Sequence, residues 1–331
     1  MLTITSPEDI QAYRASKAMN QSELKKIEHG LAHYKMLKDN PTPPSEGMLL
    51  GSIVDTILIG ADGEADRQFH VVLGEMPSES VRHVLERVAE RVESGSLQEN
   101  QDELWNAIQA YAWQPGWKQE TRIAKMLEQG AEYFEEMMRG KGKTVVSAEL
   151  YLRALKVVDM LKQYHGELLD REKLQQDDSI KVVFQKPIFF EVHDVPCKAL
   201  IDIWIEREKN GKRAVRIIDL KTTRAMTSEF DEVALKYRYD LQMAFYREAA
   251  IFGEGLNNND ISVEFLVEST TEPGSPRHYV CSKQYVDRAR FHLSDKQPGL
   301  EVLIARWKAY QGNGFTQEVE SITKWRILDI E

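Results

Sequence analysis

The sequence predicts an α/β protein with a mixed central sheet of about five strands, flanked by helices and extended by helical N-terminal and middle regions. Three features support this prediction. Helical periodicity dominates up to about residue 180, β-rich runs separated by turn signals begin at residue 181, and helical segments alternate with the later strands. Strands and helices in such an order are typical of layered α/β folds.

The N-terminal region, residues 1–39, has a helical pattern. Ser22 is placed as an N-cap, and the residues after it form an apolar stripe at helical spacing: Leu24, Ile27, Leu31 and Tyr34. Prolines predict a loop over Asn40–Glu46. The apolar stretch Met48–Gly60 has the length of a buried helix, although it is also compatible with a strand.

Residues 61–180 predict a mostly helical insertion, in which Val145–Ser147 is a short connection into a helix. Three β-rich runs then predict an antiparallel meander of Val182–Val192, Lys198–Ile205 and Ala214–Leu220. A helix over about residues 229–252 comes next, and the last predicted elements are two strands and one helix: Ile261–Val267, His278–Cys281 and Val286–Tyr310. We expect one domain over residues 1–331, made of N-terminal helices (1–60), the insertion (61–180), the sheet with its helices (181–310) and a tail (311–331).

The composition is that of an ordinary globular chain, with 42% apolar and 29% charged residues. No apolar run approaches the roughly 20 residues needed to cross a bilayer, and a signal-peptide pattern is lacking, so we expect a cytoplasmic protein without a membrane partner. Cys197 and Cys281 suggest neither a zinc module nor a disulfide framework. The formal charge of −10 argues against a protein that coats nucleic acid non-specifically, but not against an enzyme that acts on it.

Two predicted strands carry an aspartate where a core strand should be apolar. Asp202 lies within the run Lys198–Ile205, and Asp219 ends the apolar run of the next strand. An ionised carboxylate is costly to bury without a partner, and two of them on neighbouring strands repel each other. A divalent cation between them would remove this conflict, because hard oxygen ligands are those that Mg²⁺ prefers.

Asp219 and Lys221 are two residues apart on a strand and therefore point to the same face. The resulting pattern, D-x₁₆-D-x-K, places two candidate metal ligands beside a lysine. Such a centre can stabilise the charge that develops on a scissile phosphate, while the lysine positions or deprotonates the attacking water. An isolated D-x-K is more often a structural ion pair at a strand end, because such tripeptides are common, so the surrounding motifs have to decide between the two interpretations.

Further motifs accompany these residues in a fixed order. Those in the second half are Ile188–Glu191, Val195–Asp202, Ile218–Thr223 and Tyr239–Tyr246, and those in the first half are Ser22–Lys25, His33–Tyr34 and Met48–Asp55. Together they resemble the PD-(D/E)xK nucleases and, within that superfamily, the RecE-type (exonuclease VIII-like) exonucleases of phages and prophages. The resemblance covers roughly residues 19–60 and 144–310 and implies a restriction-endonuclease-like core in a single nuclease domain.

The resemblance implies a role for each matching residue of the two strands. Asp202 and Asp219 would bind Mg²⁺ or Mn²⁺ together with the backbone carbonyl of Leu220. Lys221 would be the catalytic lysine. The two aspartates would count among the catalytic residues as well, because they would hold the metal at the scissile phosphate.

Residues on helices complete the implied site. Gln242 and Tyr246 share one face of the helix that follows, at i and i+4, where the Gln and Tyr of the family help to hold the catalytic lysine and the DNA backbone. Gln242 is therefore expected to be catalytic and Tyr246 to bind DNA, although ordinary core packing is an equal alternative for Tyr246. Near the N-terminus, Ser22 and Lys25 would contact DNA, with Ser22 near the terminal phosphate.

One position departs from the family pattern. Relatives place a histidine, and more distant ones a glutamate, four residues after a helical glycine, where this chain has Gly51-x-x-x-Asp55. Aspartate is also a hard oxygen ligand, and a charge between Val54 and Ile57 is poorly explained as a helix-surface charge. We therefore expect Asp55 to be a further metal ligand, whereas Glu191 is expected to face solvent.

The function implied by the resemblance is that of a metal-dependent deoxyribonuclease in a bacterial or phage-infected cell. It would degrade linear double-stranded DNA from 5′ to 3′ as a ring-shaped homo-oligomer and act in phage-type recombination with a single-strand annealing protein. Two alternatives stay open: a related nuclease acting on single strands or ends, and a catalytically silent DNA-binding scaffold. The intact Asp202, Asp219 and Lys221 argue against the scaffold.

Overall fold

Strands and helices alternate along the chain, which the computed structural model describes at residues 1–40, 43–176, 179–294 and 297–317. In chain order the strands are Leu2–Ile4 (β1), Phe69–Val72 (β2), Thr144–Ser147 (β3), Lys181–Val192 (β4), Val195–Lys209 (β5), Lys212–Thr223 (β6), Ile261–Ser269 (β7), Arg277–Val280 (β8), His292–Ser294 (β9) and Gln297–Pro298 (β10). The helices are Pro7–Ala15 (α1), Gln21–Lys26 (α2), Leu31–Asp39 (α3), Glu46–Ile59 (α4), Glu64–Gln68 (α5), Glu79–Ala89 (α6), Gln101–Ala110 (α7), Gln119–Arg139 (α8), Ala148–Leu169 (α9), Arg171–Gln176 (α10), Phe230–Lys236 (α11), Tyr239–Glu248 (α12), Lys283–Arg290 (α13) and Leu300–Gly312 (α14). The chain divides into two compact units, one of Met1–Ala61 with Lys156–Glu331 and one of Asp62–Leu155.

A six-stranded mixed sheet, in the order β1-β4-β5-β6-β7-β8, is the centre of the first unit. The predicted meander is confirmed, because β4, β5 and β6 pair antiparallel. Strand β7 lies parallel to β6, which requires the helical connection between them, and β8 returns antiparallel. The helical prediction for residues 1–39 is wrong at Leu2–Ile4, where β1 pairs in parallel with β4 and adds a sixth strand to the expected five.

One face of this sheet packs on a large apolar core. Every second residue of β6 and β7 points into it, namely Val215, Ile217, Val263, Phe265 and Val267. The predicted apolar stripe near the N-terminus packs on the same core, through Leu24, Ile27, Leu31 and Tyr34. Helices α12 and α14 contribute Leu241, Phe245 and Leu303 to it. Asp219 and Lys221 continue the alternation of β6, so they lie on the core side of the sheet at the end of the strand.

The second unit has a core of its own. Helices α6, α7 and α8 pack around fully buried side chains of Val84, Leu85, Leu104, Ile108 and Phe134. Val145–Ser147, expected to be a plain connection, is part of β3, which pairs in parallel with β2. The unit lies within the predicted insertion of residues 61–180. None of the described helices is long and apolar enough to cross a membrane.

Helix α2 begins at a different residue from the one predicted. The N-cap of α2 is Asn20, whose side chain accepts a hydrogen bond of 2.9 Å from the Glu23 N–H. Ser22 therefore lies inside the helix, and its predicted capping role is wrong. The stretch Met48–Gly60 is helical, as α4, and not a strand.

The prediction of two longer helices is wrong, because each of them is interrupted in the structure. The helix expected over residues 229–252 breaks at Arg238, whose φ of 54° is left-handed, and only then continues as α12. The helix expected over Val286–Tyr310 is two helices, α13 and α14, with the β9–β10 pair between them. Residues 318–331 of the expected tail lie outside the described residues.

A buried ion network ties β6, β7 and β8 together. The carboxylate of Glu264, which is 2% exposed, accepts hydrogen bonds from Arg216, Ser262 and His278 at distances of 2.6 to 3.2 Å. Burial alone would raise the pKa of Glu264, but these hydrogen bonds outweigh burial and lower the pKa to about 2.

Because of this network, the free energy of unfolding should depend on pH. Because the pKa of Glu264 is lower in the folded state than in the unfolded state, its contribution is complete above pH 4.5 and is lost as the pH falls towards 2. The loss should be on the order of 2 to 3 kcal/mol. Urea unfolding at pH 6 and pH 2.5 should show this loss in the wild type and a smaller loss in Glu264→Gln. Equal losses in both proteins would contradict the assignment.

Candidate active site

The end of β6 carries two charged groups on the core side of the sheet. Asp219 is 1% exposed, and the ammonium of Lys221 contacts its Oδ2 atom as an ion pair. The two side chains point the same way because they are two residues apart on the strand. The structure therefore brings them together as the sequence pattern predicts.

Asp202 lies just beyond the end of the β5–β6 ladder. The antiparallel pairing stops at Ile203↔Ile218, and the Oδ2 atom of Asp202 instead accepts a hydrogen bond of 2.9 Å from the Leu220 N–H. Because the N–H and C=O of one strand residue point to the same side, the Leu220 carbonyl also faces this gap. Its oxygen is 3.5 Å from the Nζ atom of Lys221.

A kink in the neighbouring strand accompanies the position of Asp202. Gln185 stands opposite Asp202, has a left-handed φ of 54°, and is passed over by the β4–β5 pairing. The core-facing residues of β4 accordingly change from odd to even numbers, with Val183 before the kink and Ile188, Phe190 and Val192 after it. Such irregularities re-aim side chains and occur often beside active sites.

Helix α4 brings Asp55 to the same end of the sheet. The helix comes close to β6 at Gly51, where a Cβ atom would lie 3.2 Å from the hydroxyl oxygen of Thr222. A larger residue at this position would push the helix away from the strand. Asp55 follows one helical turn later, partly buried, and its charge interacts with those of Asp219 and Lys221.

Helix α12 holds Asp219 in place. The amide of Gln242 donates hydrogen bonds to the Oδ1 atom of Asp219 at 2.7 Å and to the hydroxyl of Tyr246 at 2.8 Å. Tyr246 is 8% exposed, so its hydroxyl supports Gln242 from inside the protein. A contact between Tyr246 and DNA therefore stays a prediction.

The positive charge near the carboxylates of Asp55, Asp202 and Asp219 is too small to neutralise all three. Burial raises the pKa of Asp55 to about 7, an effect that Lys221 opposes and Asp219 strengthens. Burial, and then repulsion from Asp219 and Asp55, raises the pKa of Asp202 well above its ordinary value. The Lys221 ammonium does not neutralise all three groups, so a further cation would lower their mutual repulsion.

Lys221 itself is fixed in its protonated form. Burial alone would lower the pKa of this side chain, but Asp219 and Asp202 outweigh burial and raise the pKa above its ordinary value. Without a bound metal the group is therefore an ammonium at neutral pH. A divalent cation between the two aspartates would weaken their effect on the pKa of Lys221, so both roles expected from the sequence, positioning a water and accepting its proton, stay predictions.

A divalent cation fits the donors of this centre. Although Lys221 contacts it, the buried Oδ2 atom of Asp219 receives no hydrogen bond from the described residues. Within those residues, no three His, Cys, Asp or Glu side chains are arranged to hold a metal ion by themselves. Mg²⁺ commonly takes one or two carboxylates and keeps several waters, so Asp202, Asp219 and the Leu220 carbonyl are a sufficient protein contribution. The ligand role of Asp55 stays a prediction.

A cavity of about 360 Å³ opens beside Gln242 and Tyr239. Its other wall consists largely of polar residues from α2 and the segment after it: Gln21, Ser22, Lys25, Lys26, Glu28, His29 and His33. The residues predicted to bind DNA near the N-terminus, Ser22 and Lys25, thus lie in one cavity with Gln242. Lys26, His29 and His33, which the sequence prediction did not assign to the site, recur every three or four residues opposite the apolar stripe and line the same cavity.

The ring of Tyr239 connects this cavity with the carboxylates. The Nζ atom of Lys221 lies 5.0 Å from the ring centroid, and that of Lys25 lies 6.0 Å from it. Burial lowers the pKa of Lys25, Glu28 opposes this effect, and Arg238 and Lys221 add to it. An anion in the cavity would relieve the repulsion between the two lysines.

Comparison with known proteins identifies a nuclease superfamily. A sequence model of the PD-(D/E)XK nuclease superfamily matches residues 37–311. No curated protein matches the chain. Among solved structures, a chain from Eubacterium rectale described as a "putative exonuclease" is similar with a TM-score of 0.48 and 14% sequence identity, covering 99% of this chain and 95% of that one.

Proposed function

The chain belongs to the PD-(D/E)XK nuclease superfamily, and on that premise we propose that it is a divalent-metal-dependent deoxyribonuclease. The proposed reaction is the degradation of linear double-stranded DNA from 5′ to 3′, in phage-type recombination. The observation that carries the proposal is the cluster of Asp202, Asp219 and Lys221 at the end of β6. It joins hard oxygen donors to a fixed ammonium, a combination suited to phosphodiester hydrolysis.

Each residue has a task that its position allows. Asp202, Asp219 and the Leu220 carbonyl would hold Mg²⁺ or Mn²⁺, which when bound stabilises charge on the scissile phosphate and makes a water more acidic. Lys221, as an ammonium, orients the attacking water and neutralises phosphate charge. Gln242 fixes Asp219 through Oδ1 and leaves Oδ2 in contact with the Lys221 ammonium.

The cavity beside Gln242 suits the terminal phosphate of a DNA strand. Lys25 and Lys26 supply positive charge there, and the hydroxyl of Ser22 and the His29 and His33 rings supply further polar groups. The resemblance of the N-terminal motifs to those of RecE-type enzymes supports a 5′ end at this position. We therefore assign Ser22 and Lys25 to binding of the end rather than to the chemical step.

The assembly that we propose is a ring-shaped homo-oligomer around the duplex, which delivers its single-stranded product to an annealing protein. The resemblance of the sequence motifs to those of RecE-type enzymes supports this part of the proposal. Light scattering should give a mass of several chains. A monomer that digests long DNA processively would contradict the ring.

The direction of digestion tests the proposed function. A linear duplex labelled at its 5′ ends should release the label early as mononucleotide, whereas a 3′ label should persist until late in the reaction. A covalently closed circular duplex should survive. Early release of the 3′ label, or cleavage of the circle, would replace the proposal by another nuclease activity. Preferred digestion of a single strand would favour the alternative of an enzyme that acts on single strands.

Removal of the metal should abolish the reaction. We expect digestion with Mg²⁺ or Mn²⁺, none in excess EDTA, and little with Ca²⁺, which prefers a larger and looser coordination shell. Adding Mg²⁺ after EDTA treatment should restore the rate, which separates metal loss from unfolding. Undiminished digestion in EDTA would exclude the proposed chemistry.

A further inference from the structure

An exposed aromatic ring contacts Tyr239 and Lys25, two residues that line the cavity beside Gln242. Tyr237, between α11 and α12, is 47% exposed, although most large rings of this unit are buried. Its ring stacks on that of Tyr239, with centroids 5.9 Å apart and planes at 27°. Tyr239 stacks in turn on the buried Phe230, at 5.9 Å and 28°. The three rings form a row that runs from the core to the surface.

Two lysines flank the outermost ring. The Nζ atoms of Lys25 and Lys236 lie 5.8 and 5.6 Å from the centroid of Tyr237. Lys25 also donates a hydrogen bond to the backbone carbonyl of Tyr237 and lines the cavity. An exposed aromatic ring with ammonium groups this close to it is suited to a nucleotide, because the base stacks on the ring while the lysines attract the phosphates.

The backbone next to Tyr237 is held rigidly. Arg238, 5% exposed and left-handed, forms ion pairs with Glu28 and Asp240 and donates a hydrogen bond of 3.2 Å to the carbonyl of Pro298. These contacts join α12 to the segment after α2 and to the chain before α14. The ring of Tyr237 is therefore presented from a fixed base, which lowers the entropy cost of stacking a ligand on it.

The distance between the Tyr237 ring and Lys221 determines which nucleotides of the substrate Tyr237 can contact. Lys221 Nζ is 5.0 Å from the Tyr239 ring, and that ring is 5.9 Å from the Tyr237 ring. At a rise of about 3.4 Å per nucleotide, the exposed ring is within roughly three nucleotides of the scissile phosphate. At that distance a base behind the terminal pair of a fully paired duplex has both faces covered and cannot stack on the ring, whereas an unpaired base can.

We propose that Tyr237 is a stacking platform for an unpaired base of the DNA substrate, so that the enzyme binds ends whose terminal bases are separated in preference to fully paired ends. The inference rests on the proposed function, since it names the state of the DNA that the same site takes. Lys25 and Lys236 hold the phosphates on either side of the stacked base. The stacking requires an aromatic ring and not the tyrosine hydroxyl.

Binding without hydrolysis tests this contact. In EDTA, fluorescence anisotropy would compare a duplex with three mismatched terminal pairs, the fully paired duplex and the single strand. Tyr237→Ala should weaken binding of the mismatched end and the single strand by roughly 5- to 150-fold, which corresponds to about 1 to 3 kcal/mol for one stacked base. Tyr237→Phe should bind like the wild type. The matched control is Tyr164→Ala, which removes a 54% exposed tyrosine of α9 and should change nothing.

An abasic scan makes the test specific to a base. One abasic position among the terminal nucleotides should weaken binding to the wild type and have no further effect in Tyr237→Ala, because the two changes remove the same contact. If the wild type binds and digests DNA while Tyr237→Ala shows unchanged affinity and an unchanged abasic profile, the stacking role is wrong and the proposed function stands. If the wild type binds no DNA, both are wrong.

Discussion

Lys221→Met should lower the rate of DNA digestion by on the order of a thousandfold and leave the fold intact. The ammonium of Lys221 contacts Asp219 and lies 3.5 Å from the Leu220 carbonyl, where the proposed reaction develops charge. Methionine keeps most of the length of the lysine side chain but removes the charge. Asp219→Asn should cause a similar loss, because it keeps the hydrogen bond from Gln242 but takes one negative charge from the cation site.

The chain offers a matched control for the lysine variant. Lys186 is 15% exposed against 17% for Lys221, is paired with Glu254 at 2.8 Å, and lies 4.7 Å from the ring centroid of Trp204. Lys186→Met therefore removes a comparable half-buried, ion-paired lysine from the same sheet. Single-turnover digestion and thermal unfolding should be measured for both variants. Near-normal turnover by Lys221→Met, or an equal loss in Lys186→Met, would contradict a catalytic role.

Asp55→Asn should raise the Mg²⁺ concentration needed for half-maximal digestion by tenfold or more, on the order of 1.4 kcal/mol of lost metal affinity. The amide keeps the shape of the side chain and loses its charge. The raised pKa of Asp55, about 7 without metal, adds a pH effect. Metal binding requires the ionised form, so affinity in the wild type should rise as the pH increases through about 7. This rise should be smaller in Asp55→Asn.

Two further variants separate a ligand from a structural charge at position 55. Asp55→His should recover part of the activity, because histidine occupies this position in the relatives that the sequence resembles. Asp39→Asn, which changes an exposed aspartate at the end of α3, should leave the Mg²⁺ requirement unchanged. If the Asn variant at position 55 also has a wild-type Mg²⁺ requirement, the metal rests on Asp202, Asp219 and the Leu220 carbonyl alone.

The sequence was informative where local rules determine the structure. The meander followed from β-rich runs and turn signals, and the period of two along β6 was enough to predict that Asp219 and Lys221 point together. Asp202 was detectable because a carboxylate within an apolar strand needs a compensating partner. The helical spacing of Gln242 and Tyr246 likewise predicted that they share one helix face, on which a hydrogen bond of 2.8 Å joins them.

The features that the sequence did not reveal depend on partners far along the chain. Strand β1 has three residues, too few for a periodic pattern, and it exists through pairing with β4 about 180 residues away. The break at Arg238 has no glycine or proline, and buried ion pairs with Glu28 and Asp240 hold the left-handed backbone. The kink at Gln185 likewise falls on a residue that is neither glycine nor proline, and it lies opposite Asp202 within the pairing with β5.

The cation site tests the central claim most directly. Crystals soaked in Mn²⁺ can be measured at the manganese absorption edge, where the anomalous signal locates the metal without reference to activity. We predict a peak within about 2.0 to 2.4 Å of carboxylate oxygens of Asp202 and Asp219 and of the Leu220 carbonyl, at the spacing of hard oxygen ligands. Displacement of the Lys221 ammonium from Asp219 should accompany it. No peak between the two aspartates, at a Mn²⁺ concentration that supports full digestion in solution, would contradict the account.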